Sequence, residues 1–346
     1  MTATDPELRG SGRGERLTVA EIARLAGVSS PTVSRVINGH AGVALDTRQR
    51  VEAVLHEHGY RRPERPDPVP LLDLVFHALD SFWALEIIQG VEQVAQEHGL
   101  AVVLTEMQGR LTPGQGWMEQ VLSRRPTGVI AALSDLTVQQ QSQLATRSIP
   151  LVVLDPTGEP LDETPSVGAT NYSGAMVATR HLLGLGHRRI AMLGGNPQWP
   201  FCRARMDGFR AAMDTAGVPV DPELLRIGPL YVEGGVEEGA ALLQLADPPT
   251  AILTTNDLQA HGIYEAARRA GVRIPQDLSV VGFDDLPFTK WAGPPMTTMR
   301  QPLVRMGATA ARMILALGRG ETLPEQRVVL STELVVRQST AAPPVR

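Results

Sequence analysis

Apolar residues recur along this chain at two different periods. In the first sixty positions the period is helical: Val19, Ile22, Ala23 and Ala26 stand at i, i+3, i+4 and i+7, one stripe of a short helix. Thr18 and Glu21 have the spacing of a capping box, which marks where that helix starts. Gly27 supplies the positive φ that a tight turn between helices needs. Ser29 or Ser30 can cap a second helix, and Pro31 falls in its first turn, where a missing N–H costs nothing. Val33, Val36 and Ile37 point this helix back at the first. A third amphipathic segment from Asp46 to His58, with Val51, Val54 and Leu55 inward, completes a three-helix core ending near Tyr60. The pattern reads as a helix-turn-helix, with a small helical bundle that has no DNA role as the lesser alternative.

Beyond Leu71 the pattern changes to short, almost continuous apolar runs separated by helical segments. LLDLVF, AVVLTE, GVIAAL and PLVVLD read as parallel strands covered on both faces. RIAMLGG, LLRIG, TAILTT and LSVVGF form a second series. Helical spacing lies between them at Trp83–His98, Tyr172–Leu185, Cys202–Ala216, Val236–Leu245 and Leu258–Ala270. Two such series predict two doubly wound α/β subdomains with a cleft between them. The expected fold is therefore a small all-α domain followed by a two-lobed α/β domain. Residues 61–70, RRPERPDPVP, hold four prolines in ten positions and predict an extended linker at the boundary.

At 346 residues with 43% apolar content, the chain is long enough for two or three domains with substantial cores. No apolar run approaches the roughly 18 residues of a membrane span. Residues 1–16 are polar and Gly-rich, which predicts a disordered tail, not a secretion signal. A single cysteine, Cys202, excludes an internal disulfide framework and suits a reducing cytoplasm. The net charge of −5 argues superficially against nucleic acid. Its distribution argues the reverse, because Arg16 to Arg62 carries seven Arg against four acids, net +3, leaving about −8 for the rest. A head of +3 is weak for one DNA-binding domain, so tight binding calls for a dimer.

The outer face of the second helix offers Ser30, Pro31 and Arg35 to bases, with Arg35 able to fork onto a guanine edge. Thr18, Ser29, Thr32, Ser34 and Asn38 suit phosphate oxygens. In the α/β part, ligands bind beyond strand C-termini, which selects Asp80, Asp155, Asn256 and Asp284. Trp83, Trp199 and Tyr231 are available aromatic platforms, and Arg203 and Arg205 open a helix after a Gly-Gly loop. Carboxylates, amides and aromatic faces together are the chemistry of sugar recognition. A strand-end Asp or Asn is as often a helix cap or turn former, and that reading stays open for Asn171 and Asp285. Cys202 reads as packing, although a helix start beside Arg203 could lower its pKa. There is no G-x-S-x-G, H-E-x-x-H, P-loop or G-x-G-x-x-G, and the eight histidines lack ligand spacing. Neither catalysis, a metal nor a cofactor is expected.

AEIARLAGVSSPTVSRVIN, followed by TRQRVEAVLHEHGY, resembles the N-terminal module of the LacI/GalR family of bacterial repressors. VVLDP, LGHRRIAMLGG, RARMDGF, TAILTTNDLQAHG, IPQDLSVVGFDD and PPMTTMRQPL resemble further family signatures in family order, so the likeness spans roughly residues 16 to 337. It implies a helix-turn-helix over 17–60, the linker, and a periplasmic-binding-protein-like effector domain over 71–340. Lobe 1 would take about 71–166 and 299–323, and lobe 2 about 167–298 and 324–340, with crossovers near Val167 and Met299 and helix 302–318 returning to lobe 1. By motif, effector contacts fall on Asp155, Asn171, Arg205, Asn256, Asp284 and Gln301, with Tyr231 at a position usually aromatic. Asp80 and Trp83 stand where the first strand's loop meets ligand.

The resemblance further implies a cytoplasmic homodimer on a palindromic double-stranded operator. It would repress carbohydrate-use genes under control of a sugar, with a nucleobase effector or an activator role as the alternative. Trp291 would lie in the subunit interface. Two features depart from the family: the prolines replace a hinge helix and its minor-groove leucine, and Ala44 stands where a serine usually caps the third helix. A free sugar-transport protein would show a secretion signal and no helix-turn-helix. An enzyme would show a nucleophile or metal cluster.

Overall fold

The computed structural model describes residues 18–37, 43–58, 69–79, 82–107, 112–133, 136–155 and 164–344. The chain divides into two compact units, Met1–Asp67 and Pro68–Arg346.

The first unit holds α1 (Val19–Ala26), α2 (Ser30–Ile37) and α3 (Leu45–Glu57). Thr18 starts α1 with a complete capping box: its Oγ1 accepts from the Glu21 amide at 3.3 Å, and Glu21 Oε2 accepts from the Thr18 amide at 2.6 Å. Gly27 ends α1 at φ 66°, a left-handed conformation that costs glycine nothing. Ser29 then accepts from the Thr32 amide at 3.4 Å and opens α2. Ile22, Ala23, Ala26, Val33, Val36 and Val51 close the core. Val19, Val54 and Leu55 pack against it, so these positions of the stripes read from the sequence face inward.

The second unit contains two six-stranded sheets. The chain runs β1 (Val69–Phe76), α4 (Phe82–Glu97), β2 (Ala101–Glu106), α5 (Gln115–Arg124), β3 (Pro126–Ala132), α6 (Val138–Thr146), β4 (Leu151–Leu154) and β5 (Ser166–Ala169). It continues through α7 (Asn171–Gly184), β6 (Ile190–Gly194), α8 (Pro200–Thr215), β7 (Leu225–Ile227), α9 (Val232–Leu243), β8 (Ala251–Thr254), α10 (Asp257–Ala270), β9 (Ser279–Asp284) and β10 (Thr297–Arg300). It ends with α11 (Leu303–Gly318), β11 (Arg327–Leu330) and β12 (Glu333–Val335).

The first sheet has the order β11-β5-β4-β3-β1-β2 and is parallel throughout. The second has the order β12-β10-β9-β8-β6-β7, with only the β10–β12 pair antiparallel. Strand alternation gives each sheet two buried faces. In the first, Leu72, Leu74, Ile130 and Val152 meet α4 and α11, while Val75, Val129 and Ala131 meet Trp117, Met118 and Val121 of α5. In the second, Leu193, Ile252 and Val280 meet α10, while Met192, Leu253 and Val281 meet Phe209 and Met213 of α8.

The lobe boundaries differ from those expected. β5 and β11 pair with each other in the first sheet, and β10 lies in the second. The chain therefore crosses between lobes at 169–171, 300–303 and 330–333. Thr170 and Thr332 latch two of these crossings, with their hydroxyls 3.0 Å apart and the Thr332 amide donating to Thr170 Oγ1 at 2.9 Å. Val69 and Pro70, expected in the linker, open β1 instead. The rest of the expected linker, the tail, Asn38 and Asp80 lie outside the described residues. Among the described residues no helix is long and apolar enough to cross a membrane.

Candidate functional site

In the first unit, α2 buries Val33 and Val36 and exposes Ser30, Pro31, Ser34 and Arg35. This is one face of an amphipathic helix left to solvent. Thr32 is half-buried, and its Oγ1 lies 2.9 Å from Ser29 Oγ. Thr18 Oγ1 donates to Glu21 at 2.8 Å. Those hydroxyls therefore bond at the helix termini, and the outward side chains of α2 with no part in that capping are those of Ser30, Pro31, Ser34 and Arg35.

In the second unit, a cavity of about 500 Å³ is lined by residues of both lobes. Strand C-termini aim at it from both sheets: His77 and Ala78 follow β1, Leu133 follows β3, and Asp155 follows β4. From the second sheet come Asn196 after β6, Gly228 after β7, Asn256 after β8, Asp284 at the end of β9 and Gln301 after β10. Parallel sheets leave their C-terminal carbonyl ends and loops free, which makes this end the natural crevice. Leu133, Asp155 and Asp284 hold positive φ values of 49°, 47° and 119°. Strain of this kind, on the order of 1–3 kcal/mol per residue, gathers at ligand sites.

Arg205 is the centre of the charged group. It is 2% exposed, and its Nη1 donates to Thr255 O at 2.5 Å and reaches Asp284 Oδ1 at 3.5 Å. Its Nε donates to Asn171 Oδ1 at 2.9 Å. The guanidinium lies 3.7 Å from the centroid of Phe283 and 5.2 Å from that of Phe201, a cation held between aromatic rings. Gln301 Nε2 donates to Asp284 Oδ1 at 2.7 Å. Burial pushes the Asp284 carboxyl up to about 6, against the pull of Arg205 and Gln301 and with Asp155 adding to the rise. Burial likewise raises Asp155, with Arg205 opposing. Asp257 is raised well above its ordinary value by burial and then by Asp284. It accepts from the Leu286 amide at 2.8 Å and from Thr298 Oγ1 at 2.6 Å.

Trp83, Asp155, Arg205, Tyr231, Asn256, Asp284 and Gln301 therefore meet at one cavity. Trp83 does so as a buried residue of α4, not from a loop. Asn171 stands behind Arg205 as its hydrogen-bond partner and is not part of the lining. Arg203 is exposed and does not line the cavity; two positions from Arg205 on α8, it looks toward solvent. Cys202 is buried, and desolvation pushes its thiol up to about 12 despite Arg205, the opposite of the activated state its position suggested. Trp291 is 87% exposed.

Asn256 combines both readings open to it. Its Oδ1 caps α10 by accepting from the Gln259 amide at 2.9 Å, and its Nδ2 donates to Leu230 O at 2.8 Å. Both ends of the amide are thus used by the protein. Sequence reasoning missed Gln259, which is fully buried. Its Nε2 donates to Gly194 O, Gly228 O and Pro229 O at 3.2, 3.4 and 3.0 Å, and its Oε1 accepts from the Thr255 amide at 3.1 Å. One side chain ties three segments of the cavity wall. Trp199 also lines the cavity, edge-on to His77 at 5.5 Å. Among the described residues no group of three or more His, Cys, Asp or Glu could hold a metal ion.

Residues 18–63 match the model of bacterial regulatory proteins of the lacI family, and 179–340 match that of a periplasmic binding protein-like domain. The HTH-type transcriptional repressor CytR of Escherichia coli (strain K12) is 31% identical over 94% of this chain and 97% of its own. The chain belongs to the lacI family. Two solved structures of lacI-family architecture extend the likeness to the whole fold. One is a transcriptional regulator CelR–cellobiose complex, at TM-score 0.72, 31% identity and 94% of this chain against 100% of that one. The other is a lac repressor dimer bound to operator and the anti-inducer ONPF, at TM-score 0.69, 27% identity, and 95% against 100%. As a lacI-family member the protein is a DNA-binding transcriptional regulator with an effector domain, and not an enzyme.

Proposed function

We propose that this lacI-family regulator is a homodimeric repressor of carbohydrate-use genes, released from or driven to a palindromic operator by a sugar held between its two lobes. The observation that carries the sugar reading is the buried group of Asp155, Arg205, Asp284 and Gln301 beside Trp83, Trp199 and Tyr231. Charged hydrogen-bonding groups with aromatic faces suit a ring that is polar at its edge and apolar on its face. The CelR–cellobiose neighbour supports it, and the lac repressor dimer on operator supports dimeric DNA binding.

In this reading Arg35 supplies most of the base recognition, with Ser30 and Pro31 beside it. Ser34 faces phosphate. The effector acts by linkage: it changes operator affinity by as much as its own affinity differs between the two states. A thermal-shift screen of mono- and disaccharides, sugar phosphates, purines and nucleosides tests the reading. A shift with sugars that also changes DNA binding in a gel-shift titration supports it. A shift with nucleobases or nucleosides alone contradicts the sugar reading and leaves the regulator intact.

A further inference from the structure

Gln301, Asp155 and Asp284 bring buried acceptor oxygens to the cavity, and this limits what can enter it. Gln301 is 4% exposed and gives its Nε2 to Asp284 Oδ1. A carboxylate accepts and does not donate, so that bond fixes the amide's orientation. Oε1 is thereby left buried without a hydrogen-bond partner among the described residues. A buried acceptor left unpaired is costly, and a ligand hydroxyl removes the cost. Asp155 and Asp284, 4% and 5% exposed, bring further acceptor oxygens. On the donor side, the guanidinium among the described lining residues is that of Arg205. Arg205 already serves Asn171, Thr255 and Asp284 through Nε and Nη1. His77 packs against the edge of Trp199.

Size adds a second constraint. About 500 Å³ sits well inside the roughly 300–1,000 Å³ of ligand pockets and exceeds what one pyranose ring fills. Aromatic side chains reach it from three separate elements: Trp83 of α4, Trp199 before α8 and Tyr231 before α9. They offer more platforms than the two faces of a single ring.

We propose, on the sugar reading above, that the effector is an uncharged disaccharide-sized glycoside and that the cleft rejects phosphorylated and carboxylated sugars. A phosphate or carboxylate would bring acceptors and negative charge to two buried carboxylates that already share one cation, Arg205. Like charges brought together in this way cost enough to weaken binding about a hundredfold. A hydroxyl donates to Gln301 Oε1 and the carboxylates without charge repulsion.

The test is calorimetric titration of the full-length protein with maltose, cellobiose, lactose, trehalose and sucrose. Glucose, glucose 6-phosphate, trehalose 6-phosphate, cellobionate and lactobionate are run beside them. The expected result is binding of at least one neutral disaccharide, about a hundredfold more tightly than its anionic counterpart and more tightly than glucose. Gln301→Met should weaken that neutral disaccharide about tenfold. An anionic sugar that binds as tightly as its neutral partner overturns the proposal while leaving the sugar reading in place. Glucose binding as tightly as any disaccharide, or an unchanged affinity in Gln301→Met, overturns it too. Silence from every neutral disaccharide also defeats it, and binding of nucleosides in their place removes the sugar reading as well.

Discussion

Replacing Arg205 with leucine should make the stability of the second unit steeply pH-dependent. In the native protein the guanidinium is 2% exposed and lies against Asp284, with Asp155 in its field. Its removal leaves two buried carboxyls without a cation, and breaking a buried pair costs about 3–5 kcal/mol. Proton uptake caps that loss: at pH 7.5, protonating a carboxyl of ordinary pKa costs about 5 kcal/mol. The sign follows from linkage. A carboxyl whose folded pKa exceeds its unfolded value binds more protons when folded, so stability falls as pH rises between the two values. In the native protein Asp284 at about 6, against an ordinary 3.8, confines that fall to pH 4–6, with a size of about 3 kcal/mol. In Arg205→Leu the folded pKa rises further, and the fall extends across pH 6–8 at about 1.4 kcal/mol per unit for each carboxyl held protonated. The assay is urea unfolding by tryptophan fluorescence at pH 6, 7 and 8. All four tryptophans lie in the second unit, so the signal reports this unit alone. The deficit of the variant should grow by about 3 kcal/mol between pH 6 and 8. Equal deficits at the two pH values, or none at either, would refute the electrostatic account of this site.

Gln259→Leu removes the donor to Gly194, Gly228 and Pro229 and the acceptor for Thr255. It should cost about 2–4 kcal/mol in urea unfolding and lower effector affinity in calorimetry; unaltered affinity would show that the wall does not depend on this tie. His187 is buried against Thr250 at 2.8 Å, Ser279 at 3.1 Å and the Ala341 carbonyl at 2.8 Å, and burial lowers its pKa below 6.5. A base depressed in this way withdraws stability as pH falls through 6.5, so His187→Gln should flatten the acid limb of the urea midpoint against pH. Arg35→Ala should lose about 1–3 kcal/mol of discrimination at a matched operator in gel-shift titration while keeping salt-dependent binding to unrelated duplex. Retained discrimination would place the readout elsewhere.

Much of the fold was legible because burial in these elements follows simple periods. Val19, Ile22, Ala23 and Ala26 form a stripe that can pack in only one way, and the strand runs are apolar on both sides because helices cover both faces. The lobe boundaries were harder. SVGA at 166–169 and RVVL at 327–330 are four-residue strands, too short for sequence to say which sheet they join. Asp155, Arg205, Asp284 and Gln301 line the cavity, and strand ends and motif order mark them in the sequence. Arg203 does not join them, because helical geometry turns positions 203 and 205 to different sides of α8.

Other features carried no local sign. Gln259, three positions after a capping Asn256, looks like ordinary helix surface, and its burial comes from carbonyls 30 to 65 residues away along the chain. Asp73, buried in β1, pairs with Trp117 and Arg124 of α5 across 44 and 51 residues. Such long-range pairings follow from the sheet order, which no short window of sequence contains.

The central claim is that one chain joins a sequence-specific DNA reader to a small-molecule receptor that controls it. Selection of bound duplexes from a random pool by the full-length protein tests this directly. The selection is followed by affinity measurements on the enriched sequence with and without the disaccharide that binds best. The account predicts an enriched inverted repeat whose affinity changes by roughly 5–150-fold when the ligand is present. Enrichment of no sequence, or an affinity indifferent to the ligand, would contradict it.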